Sequence, residues 1–310
     1  MKIPLLLLTL LAVTHAALAA DPATLRIGYQ KGSIALVLAK EHGLLEKRFA
    51  HTAVRWVEFP AGPQMLEALN VGALDVGSTG DIPPLFAQAA GADLVYIGAE
   101  PPKPTAETIL VRNDSPLHSV ADLKGKKVAF QKGSSAHNLI LRALNKAGLR
   151  YQDIQPVYLP PADARAAFEQ GSVDAWAIWE PYSSLALSQS PSHLLANGEG
   201  LGLSGPMYTA RREYAQANGA FIHALLGELS AAEALTRSQR EDSLKVLTAF
   251  MGLPAEVIAR YMDNRPPSPI LSIDETIVQA QQATADLFYQ NRLLPKAIEV
   301  KKAVWSVQAN

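Results

Sequence analysis

The chain has 310 residues, room for about two domains of ordinary size. Its 48% hydrophobic and 18% charged residues describe a protein that buries a real core. With 28 Lys and Arg against 29 Asp and Glu, no global field recruits nucleic acid or anionic lipid.

Residues 1–20, "MKIPLLLLTLLAVTHAALAA", read as a secretory signal peptide. Lys2 supplies the positive start, Leu5 to Val13 the apolar run, and Ala17-Leu18-Ala19 the small-x-small pattern, which predicts cleavage after Ala19 or Ala20. The run is well short of the ~20 residues that span a bilayer. Cysteine is absent, which excludes disulfides, a lipid anchor on an N-terminal Cys, thiolate catalysis and thiolate metal sites. The histidines show no metal-ligand spacing. These features predict an exported, soluble protein of a bacterial periplasm, with no metal and no cofactor.

After the leader the chain repeats itself. "RIGYQKGSIALVLAKEHGLL" (26–45) returns about a hundred residues later as "KVAFQKGSSAHNLILRALNKAGL" (127–149). Further along each half, "LEALNVGALDVGSTGDIPPLFA" (66–87) pairs at nearly the same spacing with "RAAFEQGSVDAWAIWEPYSSLA" (165–186). The shared plan is strand, Gln-Lys-Gly-Ser turn, helix, variable strand, second helix, Gly-x-x-Asp, strand, then an acid-plus-proline turn opening a helix. Strands alternating with helices at this pace predict parallel pairing and an α/β fold. Ligands of such sheets sit outside the carboxyl ends of the strands, where both kinds of turn fall.

Between the repeats, Pro101, Pro102 and Pro104 keep the backbone extended, and Thr108 to Val111 read as a strand crossing between lobes. A return crossing is predicted near "GEGLGLSGPMYTARR", and the chain beyond about residue 213 reads as mainly helical. Ser272-x-x-Glu275 reads as a capping box for one of those helices. The expected division is 1–20 leader, 21–109 first part of lobe 1, 110–206 lobe 2, and 207–310 the return to lobe 1 with C-terminal helices.

A glycine-containing turn that opens a helix aims unpaired N–H groups and the positive end of the helix dipole at one spot, which suits an anion. Ser33, Ser134 and Ser135 add hydroxyls there, Gln30 and Gln131 add amides, and Lys31 and Lys132 stand beside them. Each serine taken alone also reads as a plain helix cap. His137 and Asn138 fall in the first turn of the second helix and join the candidate donors. Trp176 and Trp179 end a strand and read either as core or, since strand alternation turns them to opposite faces, as at least one indole available to the cleft as an apolar wall for a ligand tail. Asp81 and Glu180 read either as caps of the helices that follow or as acceptors for a ligand hydroxyl or ammonium. No nucleophile elbow, Walker loop or His-Glu-x-x-His helix is present, so no catalysis is visible.

"RIGYQKGS", "NVGALDVGSTGDIPPLFAQAAGADLVYIG", "VADLKGKKVAFQKGSSAHNL" and "DAWAIWEPY" together resemble the aliphatic sulfonate-binding periplasmic proteins of ABC transporters, a group that also includes taurine and nitrate binders. The resemblance is strong from about Leu25 to Tyr182 and looser through the tail. It implies a two-lobed type II periplasmic-binding-protein fold that closes on one sulfonate and docks, as a monomer, on a membrane permease. It implies ligand contacts from Gln30, Gly32, Ser33, Gly80 and Asp81 in one lobe. From the other lobe it implies Ser134, Ser135, His137 and Asn138, with Trp176 and Glu180 nearby. A sulfonate has no proton to give near neutral pH, so its site should be built of donors. The alternatives are a taurine or nitrate binder of the same fold, an enzyme resembling the pyrimidine-precursor synthases, and a ligand-sensing partner of a membrane receptor.

Overall fold

A computed structural model describes residues 21–305. The predicted leader and its cleavage site lie outside the described residues. Among the described residues no helix is long and apolar enough to cross a membrane.

The first half runs β1 (Thr24–Tyr29), α1 (Ile34–Glu41), α2 (Leu44–Arg48), β2 (Ala53–Glu58), α3 (Gly62–Asn70), β3 (Val76–Thr79), α4 (Ile82–Ala90) and β4 (Leu94–Ala99). The second runs β5 (Glu107–Arg112), β6 (Lys127–Phe130), α5 (Ser135–Lys146), β7 (Gln155–Tyr158), α6 (Pro161–Glu169), β8 (Ala175–Trp179), α7 (Tyr182–Gln189) and β9 (Ser192–Asn197). Then come β10 (Met207–Arg211) and five helices: α8 (Arg212–Ala217), α9 (Gly219–Ser238), α10 (Arg240–Met251), α11 (Ala255–Asp263) and α12 (Glu275–Gln290).

The strands form two five-stranded sheets, ordered β2-β1-β3-β10-β4 and β7-β6-β8-β5-β9. These are the same sheet built twice. In each, four strands run in one direction and the fifth, β10 or β5, runs antiparallel between the third and the last. Each antiparallel strand is the first piece of chain after a crossing between lobes.

The repeated Gly-x-x-Asp has a local cause. Gly72 and Gly171 hold φ of 75° and 71°, the left-handed conformation that ends α3 and α6 without a Cβ penalty. Three residues on, Asp75 accepts the backbone N–H of Arg26 at 2.9 Å, and Asp174 accepts that of Lys127 at 2.8 Å. The motif therefore stops a helix and ties the next strand to its parallel neighbour, once per lobe.

Leu25, Ile27, Val76 and Tyr208 of the first sheet are buried with α1 and with the tail helices α9 and α10. On the second sheet, alternation sends Ala175 and Ala177 to the face covered by α5, and Trp176 and Ile178 to the opposite face with Phe168. The last helices reach the other lobe as well: α11 packs on α7, and Val278, Ala285 and Phe288 of α12 join the core around α5. The N-cap of α12 is Asp274, which accepts the Ile277 N–H at 2.8 Å; the expected capping serine, Ser272, lies outside the helix start.

Candidate functional site

Four strand-to-helix turns meet between the sheets: Gln30–Ser33 before α1, Gly80–Asp81 before α4, Gln131–Ser134 before α5, and Glu180–Pro181 before α7. They surround a cavity of about 100 Å³. Gln30, Gly32, Ser33, Gly80 and Asp81 line it from one lobe, and Ser134, Ser135 and Glu180 from the other. None of α1, α4 and α5 has a side-chain hydrogen bond capping its first turn. The N–H groups that open α1 and α5 are thus left to act on whatever occupies the cavity, while α4, with Pro83 and Pro84 in its first turn, contributes chiefly its dipole.

The lobes touch across this cavity. A Cβ on Gly80 would lie 3.0 Å from the Ser135 Cβ, so glycine permits the approach. Asn138 of α5 donates to Asp81 Oδ2 at 2.6 Å and Asn264 donates to Glu180 Oε1 at 2.8 Å, while within the first lobe the Tyr261 hydroxyl donates to the Gly32 carbonyl.

Three predicted contacts lie away from the cavity lining. Trp176 is fully buried on the far face of β8, and strand parity gives the cavity Trp179 instead. His137 is enclosed by Phe86, Phe130, Tyr151 and Phe288, with Nδ1 accepting the Gly133 N–H at 3.2 Å. Burial, reinforced by Lys132, pulls its pKa down to about 3, so it stays neutral and acts as core. Asn138 is wholly buried, committed to Asp81 and to Arg142 Nε at 2.9 Å, and acts between lobes.

The two matching turns are not equal. Ser33 Oγ accepts the Gln30 N–H at 3.3 Å and keeps its proton free to donate, whereas Ser134 Oγ donates to the Gln131 carbonyl at 2.7 Å. Around them stand residues that sequence reasoning missed: Glu100, Lys103, Glu107, Ser204 and Tyr261. Glu100, Lys103, Ser204 and Tyr261 sit in irregular connections or the tail, and Glu107 opens a crossing strand; no local motif marks them.

Lys103 does not offer a free positive charge. It and Arg265 both pair with Glu100, which also accepts from Tyr208 at 2.9 Å. Burial pushes Glu100 up, but Lys103 and Arg265 more than reverse this and hold it below the usual range. Burial, with Arg265 nearby, lowers Lys103 to about 8. Asp81 goes the other way: burial raises it to about 7, against the pull of Asn138 and Arg142. Burial also raises Glu107, to about 8. The cavity is lined by amides, hydroxyls, helix ends, the paired Glu100 and Lys103, Glu180, and two carboxyls that resist ionising, Asp81 and Glu107.

A family model described as NMT1/THI5 like matches residues 31–232. A relative from Escherichia coli (strain K12), named for aliphatic sulfonate binding, is 62% identical over 305 residues, which cover 98% of this chain and 96% of that protein. The alkanesulfonate-binding protein SsuA from Xanthomonas axonopodis pv. citri, solved bound to MOPS, is 58% identical with a TM-score of 0.91, covering 93% of this chain and 99% of that one. The periplasmic aliphatic sulphonate binding protein SsuA from Escherichia coli superposes with a TM-score of 0.87 at 62% identity, covering 93% of this chain and 94% of that one. With its doubled sheet and the turns that line the cavity between the lobes, the chain belongs to the NMT1/THI5-like family, among its aliphatic sulfonate-binding members.

Proposed function

We propose that this protein captures aliphatic sulfonates in the periplasm and presents them, as a closed monomer, to the permease of an ABC transporter. In this reading residues 1–20 are removed after about Ala19 or Ala20, and lobe 2 runs from about 110 to 206 between the two parts of lobe 1. The observation that carries the reading is the convergence of three helix N-termini, two of them with free N–H groups, on one cavity whose lysine, Lys103, is already paired with Glu100. A singly charged, proton-free head is stabilised there by N–H and O–H donors, with Gln30, Ser33, Gly80, Ser134 and Ser135 at the head and Trp179 along the tail.

The carboxylates argue for an uncharged tail over the ammonium of taurine. Glu180 already accepts from Ser184 Oγ at 2.7 Å and from Asn264, and Asp81 from Asn138. Glu100 is matched by Lys103 and Arg265. At these three an ammonium group would have to compete with existing partners, and at Glu107 it would have to ionise a carboxyl that burial holds neutral. The test is calorimetry on ligand-stripped protein against ethanesulfonate, longer alkanesulfonates, taurine and nitrate. Alkanesulfonates should bind tightest and remain chemically unchanged; a preference for taurine or nitrate, or turnover of the ligand, refutes the proposal.

A further inference from the structure

Glu107 has no task in the sheet that holds it. It opens β5 opposite Trp179, and the residue in the matching place on the other lobe, opposite Thr79, is the apolar Met207. Pairing therefore does not require a carboxyl at this position. Its Oε2 is shielded from solvent and has no hydrogen-bond partner, although the side chain lines the cavity. Such an atom is costly unless the group is neutral or a ligand supplies the missing partner.

The groups facing it favour the neutral form. Asp81 reaches it from the turn before α4 and Glu180 from the end of β8, and both disfavour its charge; the Ser135 hydroxyl of α5 acts the other way but is outweighed by burial. The one nearby cation is Lys103, already paired with Glu100. The other polar groups on the elements around β5 turn elsewhere: Arg142 to Asn138 and Thr284, and His193 of β9 to Asn113 beyond the far end of the strand. Tyr182 opens α7 beside Trp179. Burial sets the Glu107 pKa at about 8 before any ligand arrives, and an incoming anion can only raise it further.

We propose that Glu107 binds the ligand as a carboxylic acid, donating its proton in a hydrogen bond to the acidic head, so that capture is coupled to holding one proton. This rests on the sulfonate reading above and adds to it a specificity residue. The un-ionised acid supplies a donor where a carboxylate would repel the head. No bond is made or broken beyond the proton gained from solvent by the fraction of protein that was ionised.

The experiment is calorimetry with ethanesulfonate at pH 7, 8 and 9, each in two buffers of different ionisation enthalpy, on the wild type and on Glu107→Gln. The amide keeps a donor and cannot titrate. With a free-protein pKa of about 8, wild-type affinity should fall about tenfold from pH 7 to pH 9, with about half a proton taken up per ligand at pH 8. The variant should bind with a flat profile and no buffer dependence, its fold checked by circular dichroism at each pH. A flat wild-type profile without proton uptake overturns the proposal, and that reading needs no variant. A slope that persists in Glu107→Gln overturns it too, by moving the proton to Asp81 or Lys103. Absence of sulfonate binding at every pH refutes the sulfonate reading itself, and this one with it.

Discussion

Gly80 offers the most direct test that the two lobes close on the ligand. It stands at the end of the first sheet, and its nearest neighbour belongs to the other lobe: an added Cβ would lie 3.0 Å from the Ser135 Cβ, 3.3 Å from its Oγ and 3.5 Å from its N. Carbon atoms pack comfortably at about 3.5–4.0 Å, so even alanine overlaps by roughly half an ångström. Gly80 is not among the glycines with positive φ, so the change tests space and not backbone conformation. Because the two atoms sit on opposite lobes, opening the cleft relieves the overlap without disturbing either core. Overpacking of this kind costs about 1–3 kcal/mol, which for Gly80→Val becomes roughly a 5- to 150-fold loss of affinity. Calorimetry with an alkanesulfonate reads the loss, a thermal melt of ligand-free protein checks the fold, and small-angle scattering reads whether ligand still compacts the molecule. Wild-type affinity in Gly80→Val would refute the argument, as would a drop in ligand-free stability as large as the drop in binding.

The two tryptophans should separate stability from recognition. Trp176→Ala empties a fully buried site and should cost about 3–5 kcal/mol in denaturant melts, while Trp179→Ala should chiefly weaken binding of longer-tailed sulfonates. His137 predicts an acid limb in stability. Its folded pKa of about 3 lies below the unfolded value, so the unfolded chain takes up a proton first as pH falls below about 6.5. Between pH 7 and pH 4 this contributes a loss of roughly 3 kcal/mol, and urea melts of His137→Phe should lack that component relative to wild type; identical slopes would place the histidine elsewhere.

The features legible in the sequence were those whose causes are local. Gly72 and Gly171 must take a left-handed conformation, and Asp75 and Asp174 must satisfy a strand N–H a fixed distance away in the fold, so both leave matching letters in each half. The turns before α1, α4, α5 and α7 follow from the same strand-to-helix grammar. What failed was direction. A helix aimed end-on at a ligand offers its N–H groups and the side chains at its very start, while those two or three residues further on already radiate sideways. Hence Ser135 reaches the cavity, but His137 goes to the aromatic core and Asn138 to Asp81. Parity on β8 guaranteed one tryptophan for the cavity without saying which. Glu107 and Lys103 were invisible because the crossing brings them to the site, and nothing in their neighbours' identity announces it.

The exchange of strands between the halves has a consequence for how the chain can be assembled or divided. Among the described residues β10 is the one strand that pairs with β4 in the first sheet, apart from isolated bridges to Leu271 and Val304, and β10 lies beyond all five strands of the second. A fragment spanning 107–197 holds a complete sheet, whereas one ending before Met207 holds three joined strands and a stranded fourth. A chain emerging amino end first can therefore complete its later half before its earlier one, which waits about a hundred residues for its keystone. No single cut separates the two halves into intact pieces.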